Sequence, residues 1–189
     1  MDFLKLIKNR RTVRKFKAEA VDTVILEELV DIARISPSAA NLQSLKYAII
    51  TDEKTRLELY PFIKYAGYTP EWKMPFEITP TSFIAVFNDT SIRPSDKSEV
   101  DAGIALMALT LGAEDKGLAS CIIGSVNRQR AKEILEIGEG LDLLYLIGIG
   151  HPDQSNTLVE SEERVKYSLD GKGGFNVPKR ELDEIIIKR

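Results

Sequence analysis

Apolar positions near the start of the chain recur with a helical period, whereas further on they gather into unbroken runs. Between residues 2 and 9, Phe3, Leu4, Leu6 and Ile7 are spaced among charges as on a short amphipathic helix. Asp22 or Thr23 can cap a second helix, in which Ile25, Leu29, Ile32 and Ala33 share one face and Glu27, Glu28, Asp31 and Arg34 stay largely in water. It stops near Ser36, because Pro37 disfavours helical geometry in the residue before it. Residues 46–51 read as a strand, 52–59 as a short helix and 82–88 as an apolar strand buried on both faces. Residues 96–117 are the longest helix candidate, and Thr110 is the only polar residue from Ala102 to Ala113. A helix apolar all round is expected to be buried on every side, between the sheet and other helices or at a subunit interface. Gly117 ends it, 118–123 follow as a strand, and Asn127 caps a helix reaching Glu136. A second central apolar strand, 143–149, runs into Gly150-His151-Pro152.

Two segments lack such a period. Residues 61–80 hold four prolines and the only tryptophan, Trp72, and read as an irregular lid or wall. Residues 152–178 are polar, charged and glycine-rich, with little to build a core, yet Ile185, Ile186 and Ile187 beyond them need burial. A tail, 153–189, that leaves its own body and docks on a second subunit reconciles the two observations. The 189 residues are expected to form a single domain.

Charge alters this picture at one place. Five of the eight residues from Arg10 to Lys17 are basic in a chain of net charge -3, so the positive charge is local. Arginine offers a rigid fork of donors suited to phosphate, and the Thr12 hydroxyl can add a hydrogen bond. Taken alone, the stretch is either an anion site or a solvated basic face. The loop 36–44 is rich in small and amide side chains, and these are either ordinary turn residues or a surface that approaches a flat ring closely, with Asn41 and Gln43 reading its edge and Pro37 lying flat against it. The mild acidity argues against nucleic-acid binding. One cysteine, Cys121, excludes an intramolecular disulfide and a cysteine metal cage and suits a reducing, cytoplasmic setting, with no signal peptide in the opening residues. No apolar run reaches the ~20 residues of a membrane helix. His151, the only histidine, reads as structural at its turn. Dinucleotide, P-loop, nucleophile-elbow and histidine-rich metal motifs are all missing, so no side chain is assigned as catalytic, no metal is expected, and a cofactor is left to carry any chemistry.

Five motifs in order, Arg10-Arg11-Thr12-Val13-Arg14-Lys15-Phe16, Pro37-Ser38-Ala39-Ala40-Asn41-Leu42-Gln43, Asp101-Ala102-Gly103, Cys121-Ile122-Ile123-Gly124 and Gly148-Ile149-Gly150-His151-Pro152, give a chain that resembles the FMN-dependent nitroreductase family over nearly its whole length. The resemblance implies an α+β three-layer sandwich, with a mixed, mainly antiparallel sheet, helices on both faces and a C-terminal strand exchanged in a homodimer. It implies FMN sites at the dimer interface, NADH or NADPH as donor, and a nitroaromatic, quinone or similar small molecule as acceptor in a ping-pong cycle. An FMN-binding or sensor module with little turnover, or a flavin-modifying or dehalogenating relative, is the alternative. Residue by residue, Arg10, Arg11, Thr12 and Arg14 would hold the phosphate and adjacent polar groups. Pro37, Ser38, Ala39 and Asn41 of the other subunit would line the ring, with Gln43 beside them. Backbone groups of Ile123 and Gly124 would lie by the flavin N5, Lys73 would reach the N1-C2=O edge, and Lys179 or Arg180 would return to the phosphate. Two features depart from the family pattern: Ser44-Leu45 stand where Pro and an aromatic are frequent, and the longer helical insertion before the central helix is missing.

Overall fold

The computed structural model describes residues 2–69, 72–160 and 165–188. Helix α1 (Phe3–Asn9) leads into the extended basic segment, and α2 (Thr23–Arg34) follows, capped by the Asp22 carboxylate, which accepts the Val24 N–H at 2.9 Å. Strand β1 (Leu45–Ile50) runs into α3 (Glu53–Leu59), which Asp52 caps by accepting the Thr55 N–H at 2.8 Å. Then come β2 (Ser82–Asp89), α4 (Glu99–Asp115), β3 (Ala119–Ile123), α5 (Arg128–Ile134) and β4 (Leu141–Gly150). Gly117, at φ 72°, closes α4 as expected, its left-handed backbone returning the Leu118 N–H to Ala113 O at 2.9 Å. Helix α5 stops two residues short of Glu136, which itself takes the left-handed turn at φ 54°.

The four strands form one antiparallel sheet in the order β1-β2-β4-β3. Strand β2 is buried on both faces because helices cover both. Phe83, Ala85 and Phe87 point to a core shared with α3 and α5, while Ile84 and Val86 point to a core shared with α2 and α4. Leu144 is an extra residue in β4: Val86 faces Tyr145 and Phe87 faces Leu143, so Leu143 and Leu146 reach the same core despite their odd spacing. Arg128 holds the bulge, donating from Nε to Leu143 O and from Nη2 to Leu144 O, both at 3.1 Å. The fold is thus the α+β sandwich that the resemblance implies. Its parallel pairings lie outside the main sheet, in an isolated Thr12–Ser120 bridge and in the tail.

One expectation is corrected and two are sharpened. On α2 the buried line is Leu26, Leu29 and Ala33, with Ile25 and Ile32 only flanking it. Helix α4 is not covered on every side of the single chain: Ala105, Leu106, Leu109 and Ala113 are buried, but Val100, Ile104 and Met107 are 72%, 36% and 40% exposed. The tail does not simply leave its body. Strands β5 (Thr157–Glu160), β6 (Ser168–Leu169) and β7 (Phe175–Lys179) make a small sheet of order β5-β7-β6 folded back on the domain. Phe175 anchors it, fully buried edge-on to Trp72 and Tyr167 at ring distances of 5.7 and 5.5 Å. One aromatic wedge thus supplies what the sparse apolar pattern of the tail did not reveal. Beyond it, Leu182–Ile185 form a single helical turn, α6, and Leu182, Ile185, Ile186 and Ile187 are exposed. Residues 70–71 of the proline-rich segment and 161–164 and 189 of the tail lie outside the described residues.

Candidate functional site

The basic stretch is strapped along the outer edge of β3. The Val13 N–H donates to Ser120 O at 3.0 Å, and from the tail the Asn156 amide donates to Thr12 O at 2.8 Å while Gln154 Oε1 accepts the Arg14 N–H at 2.9 Å. Gln154 and Asn156 had no signal in the sequence beyond being polar tail residues. The four expected phosphate ligands are not equivalent. Arg11 is buried and caps α1, its Nη2 donating to Ile7 O and Lys8 O at 2.9 Å each, while its Nε is a buried donor with no acceptor among the described residues. Arg10 is half-buried, and its Nε is a buried donor with no acceptor. Burial pulls the Arg10 guanidinium below its ordinary value, and the Glu114 carboxylate partly offsets this. Arg14 lies with its guanidinium carbon 4.7 Å from the Tyr167 ring centre and 5.1 Å from that of Phe175. Stacking on ring faces leaves the in-plane N–H groups of a guanidinium available. Lys15 is paired with Asp153 at 2.6 Å, and Lys17 is exposed.

The loop before β1 is a strained, clamped structure. Ala40, Asn41 and Gln43 all take left-handed backbone, with φ of 50°, 56° and 53°, where side-chain-bearing residues are disfavoured. Asp101, buried in the first turn of α4, holds the loop: Oδ1 accepts the Ala39 N–H at 3.0 Å and Oδ2 accepts from Arg93 Nη1 at 3.1 Å. Ser38 and Gln43 are occupied within the loop, the Ser38 hydroxyl accepting the Gln43 N–H and the Gln43 amide donating to Asn41 O. The Asn41 side chain has no hydrogen bond among the described residues. Pro37, Ser38 and Gln43 line a cavity of about 350 Å³ with Tyr47 and Asp101. The role of Asp101 was missed; its signal was a carboxylate immediately before the apolar run Ala102 to Ala113.

Strand β3 ends at the buried Ile123, and Gly124 beyond it lines a cleft of about 500 Å³. The Lys64 N–H donates to Ser125 O at 2.9 Å and Ile63 bridges to Val126, so the proline-rich segment is stitched to this strand end. The segment forms a cleft of about 580 Å³ whose walls include Tyr60, Tyr65, Trp72, Lys64 and Lys73. Lys73 is exposed at this cleft. The Tyr65 hydroxyl is buried without a hydrogen-bond partner, and burial holds it well above the ordinary phenol value, with Cys121 and Tyr60 adding to the effect. Burial likewise pushes the Cys121 thiol up to about 11, partly opposed by Arg14, so it is no ready nucleophile. His151 sits 3.7 Å from a Glu19 carboxylate oxygen at its turn.

One chain does not bring all these residues together. Arg10, Thr12, Arg14, Ile123, Gly124 and Lys73 belong to the β3 side, whereas Pro37 to Gln43 enter β1 at the opposite edge, three strand spacings or roughly 14 Å away. Lys179 ends β7 and Arg180 follows it, both exposed, with Arg180 paired to Glu184 at 3.2 Å. Among the described residues, no helix is long and apolar enough to cross a membrane, and no group of three or more His, Cys, Asp or Glu side chains is placed to hold a metal.

Comparison with known proteins places this arrangement. The chain is 28% identical to the FMN reductase [NAD(P)H] of Bacillus subtilis, over 80% of this chain and 67% of that protein. It is 27% identical to the iodotyrosine deiodinase of Thermotoga neapolitana, over 78% of this chain and 87% of that one. In structure it superposes on a nitroreductase family protein from Streptococcus pneumoniae with a TM-score of 0.74 across the full length of both chains, at 24% sequence identity. The model of the Nitroreductase family matches residues 7–151, a span that runs from the basic strap through the clamped loop and the β3 end to His151, and the chain belongs to that family.

Proposed function

We propose that the chain is an FMN-dependent NAD(P)H oxidoreductase, working by ping-pong exchange on a small oxidised acceptor such as a nitroaromatic or a quinone, with flavin held between two copies of the chain. The observation that carries this reading is the division of the flavin-contact residues between opposite edges of one sheet. A second copy is what could bring Pro37, Ser38, Ala39 and Asn41 against the Arg10 to Arg14 strap. The exposed apolar residues Val100, Ile104 and Met107 on α4 and Phe3 and Leu4 on α1 offer that copy a surface. The exposed Leu182 and Ile185 to Ile187 suit exchange of the C-terminal segment.

The side chains fit the group. Among the described residues Arg10 Nε is a buried donor lacking an acceptor and Arg14 is stacked with its donor edge unspent, which is what a phosphate needs. Thr12 adds a hydroxyl, and Lys179 or Arg180 reaches the same phosphate from the tail. Arg11 fixes α1 through Nη2 and keeps a buried Nε, bonded to none of the described residues, for the same phosphate. The loop residues bring small side chains and the Asn41 amide, unpaired among the described residues, to the ring, and Lys73 places positive charge where electron density accumulates on reduction. Ile123 and Gly124 orient the ring through their backbone, while Trp72 and Tyr65 keep water from one wall. FMN, when bound, supplies the hydride chemistry, which fits a domain whose thiol is held protonated and whose one histidine lies at a turn. A lone reduced thiol also suits a cytoplasmic location.

The visible spectrum of the purified protein tests this reading. Flavin absorbance bleached anaerobically by NADH or NADPH and restored by a nitroaromatic or quinone is expected, together with a dimeric mass by light scattering. A colourless protein that oxidises no NAD(P)H after addition of FMN refutes it. Bound flavin without turnover would instead make the chain a sensor module. The likeness to iodotyrosine deiodinase favours a second reading, reductive dehalogenation, which halide release from a halogenated phenol would reveal.

A further inference from the structure

We infer that the cleft at the end of β3 is a subsite for an anionic group on a flat aromatic acceptor, with Lys64 reading the charge; this rests on the flavin reading above. Two openings meet at Lys64, the aromatic-walled cleft of about 580 Å³ and a neighbouring one of about 500 Å³ that Gly124, Ser125 and Arg128 line. Among the described residues of both walls the charged side chains are Lys64, Lys73 and Arg128, with no carboxylate, in a chain of net charge -3. Arg128 is committed to the β4 bulge through Leu143 O and Leu144 O. Lys64 and Lys73 therefore carry the unneutralised charge of the cleft, without an ion pair among the described residues.

Position makes Lys64 the more telling of the two. Its N–H donates to Ser125 O at 2.9 Å, which fixes its Cα beside the residue that follows Gly124, at the strand end where the flavin backbone contacts are placed. From there a flexible four-carbon stem can carry the ammonium over the mouth of either opening. Tyr60, Tyr65 and Trp72 give the cleft the apolar, flat walls that an aromatic ring requires. Two like charges facing one aromatic-walled space repel each other, and a carboxylate or phenolate entering between them relieves that repulsion while its ring covers the walls. Because Lys64 is exposed, the preference is one of a few fold and sensitive to salt.

The test compares 4-nitrobenzoate with 4-nitrobenzamide, which share ring and nitro group and differ in charge. The wild-type protein is expected to favour the benzoate in kcat/KM by about fivefold at low ionic strength, with the preference shrinking in high salt. Lys64→Gln should remove most of that ratio and Lys64→Glu should invert it. The same ratio in wild type and Lys64→Gln overturns the inference. So does a Lys64→Gln protein whose KM rises for NADH or NADPH while its acceptor ratio is unchanged, since the lysine would then be reading the dinucleotide phosphates. Flavin absorbance and benzamide turnover are recorded on the same samples. A colourless protein inactive on both acceptors overturns the flavin reading and this subsite with it, whereas a yellow, active protein blind to charge overturns the subsite alone.

Discussion

Asp101→Ala is the perturbation that most directly tests how the site is built. The carboxylate is 3% exposed as a residue and carries two loads, the Ala39 N–H at 3.0 Å and Arg93 Nη1 at 3.1 Å. Removing one partner of a buried ion pair costs ~3–5 kcal/mol, and because the Arg93 side chain keeps 19% of its surface in water the lower end applies, about 3 kcal/mol. The orphaned Ala39 N–H adds a desolvation cost of about 1 kcal/mol if it stays buried. Part of that sum returns when the loop relaxes, because the left-handed Ala40, Asn41 and Gln43 store on the order of 1 kcal/mol each. The expected net loss is about 3 kcal/mol in urea unfolding at fixed protein concentration, accompanied by new proteolytic cutting between residues 38 and 43. Asp101→Asn keeps an acceptor for Ala39 and loses only the charge, so it should cost roughly half as much and leave the loop resistant. Unfolding of Asp101→Ala within about 0.5 kcal/mol of wild type, or a loop equally labile in both variants, refutes the clamp.

Other perturbations follow from the same geometry. Arg14→Ala should weaken FMN binding at least tenfold, and Lys17→Ala less than twofold, in fluorescence titrations, because only Arg14 presents a phosphate-ready fork. Gly148→Ala should lower the melting temperature, since a Cβ there would stand 2.3 Å from the Pro80 ring, and overpacking of this kind costs ~1–3 kcal/mol. Cys121 gives a signed pH dependence. Its thiol ionises at an ordinary value of 9.0 when unfolded and at about 11 when folded, so only the unfolded state gains by losing the proton between them. Stability should therefore fall as pH rises through that window, by roughly 1.4 kcal/mol per pH unit at most, and Cys121→Ala should flatten the slope relative to wild type.

Much of the fold could be read from the chain because its strongest signals are local. Asn127 caps the helix expected of it, Asp22 caps α2 as one of the two residues expected to, and the unbroken apolar run of β2 is explained by helices on both faces. Most of the misses are long-range. A local one is Arg11, whose turn back onto Ile7 O and Lys8 O of α1 nothing in the run of basic residues foretells. Phe175 and Tyr167 are isolated aromatics in a glycine-rich tail until the fold sets them against Trp72 and Arg14. Lys64 looks like any surface lysine, and only its bond to Ser125 places it at the strand end. The composition of α4 reports that it avoids water, not whether its own chain or a second copy covers it.

The separation of the basic strap and the clamped loop on opposite edges of the sheet has a genetic consequence for the proposed dimer. Each flavin site would draw its strap from one chain and its loop from the other. Two defective alleles, one encoding Arg14→Ala and one Asp101→Ala, would then produce mixed dimers in which both lesions fall in the same site. The second site of such a dimer would carry neither lesion. Co-expression of two inactive chains would thereby restore activity that neither possesses alone, a complementation that a site built within a single chain cannot show.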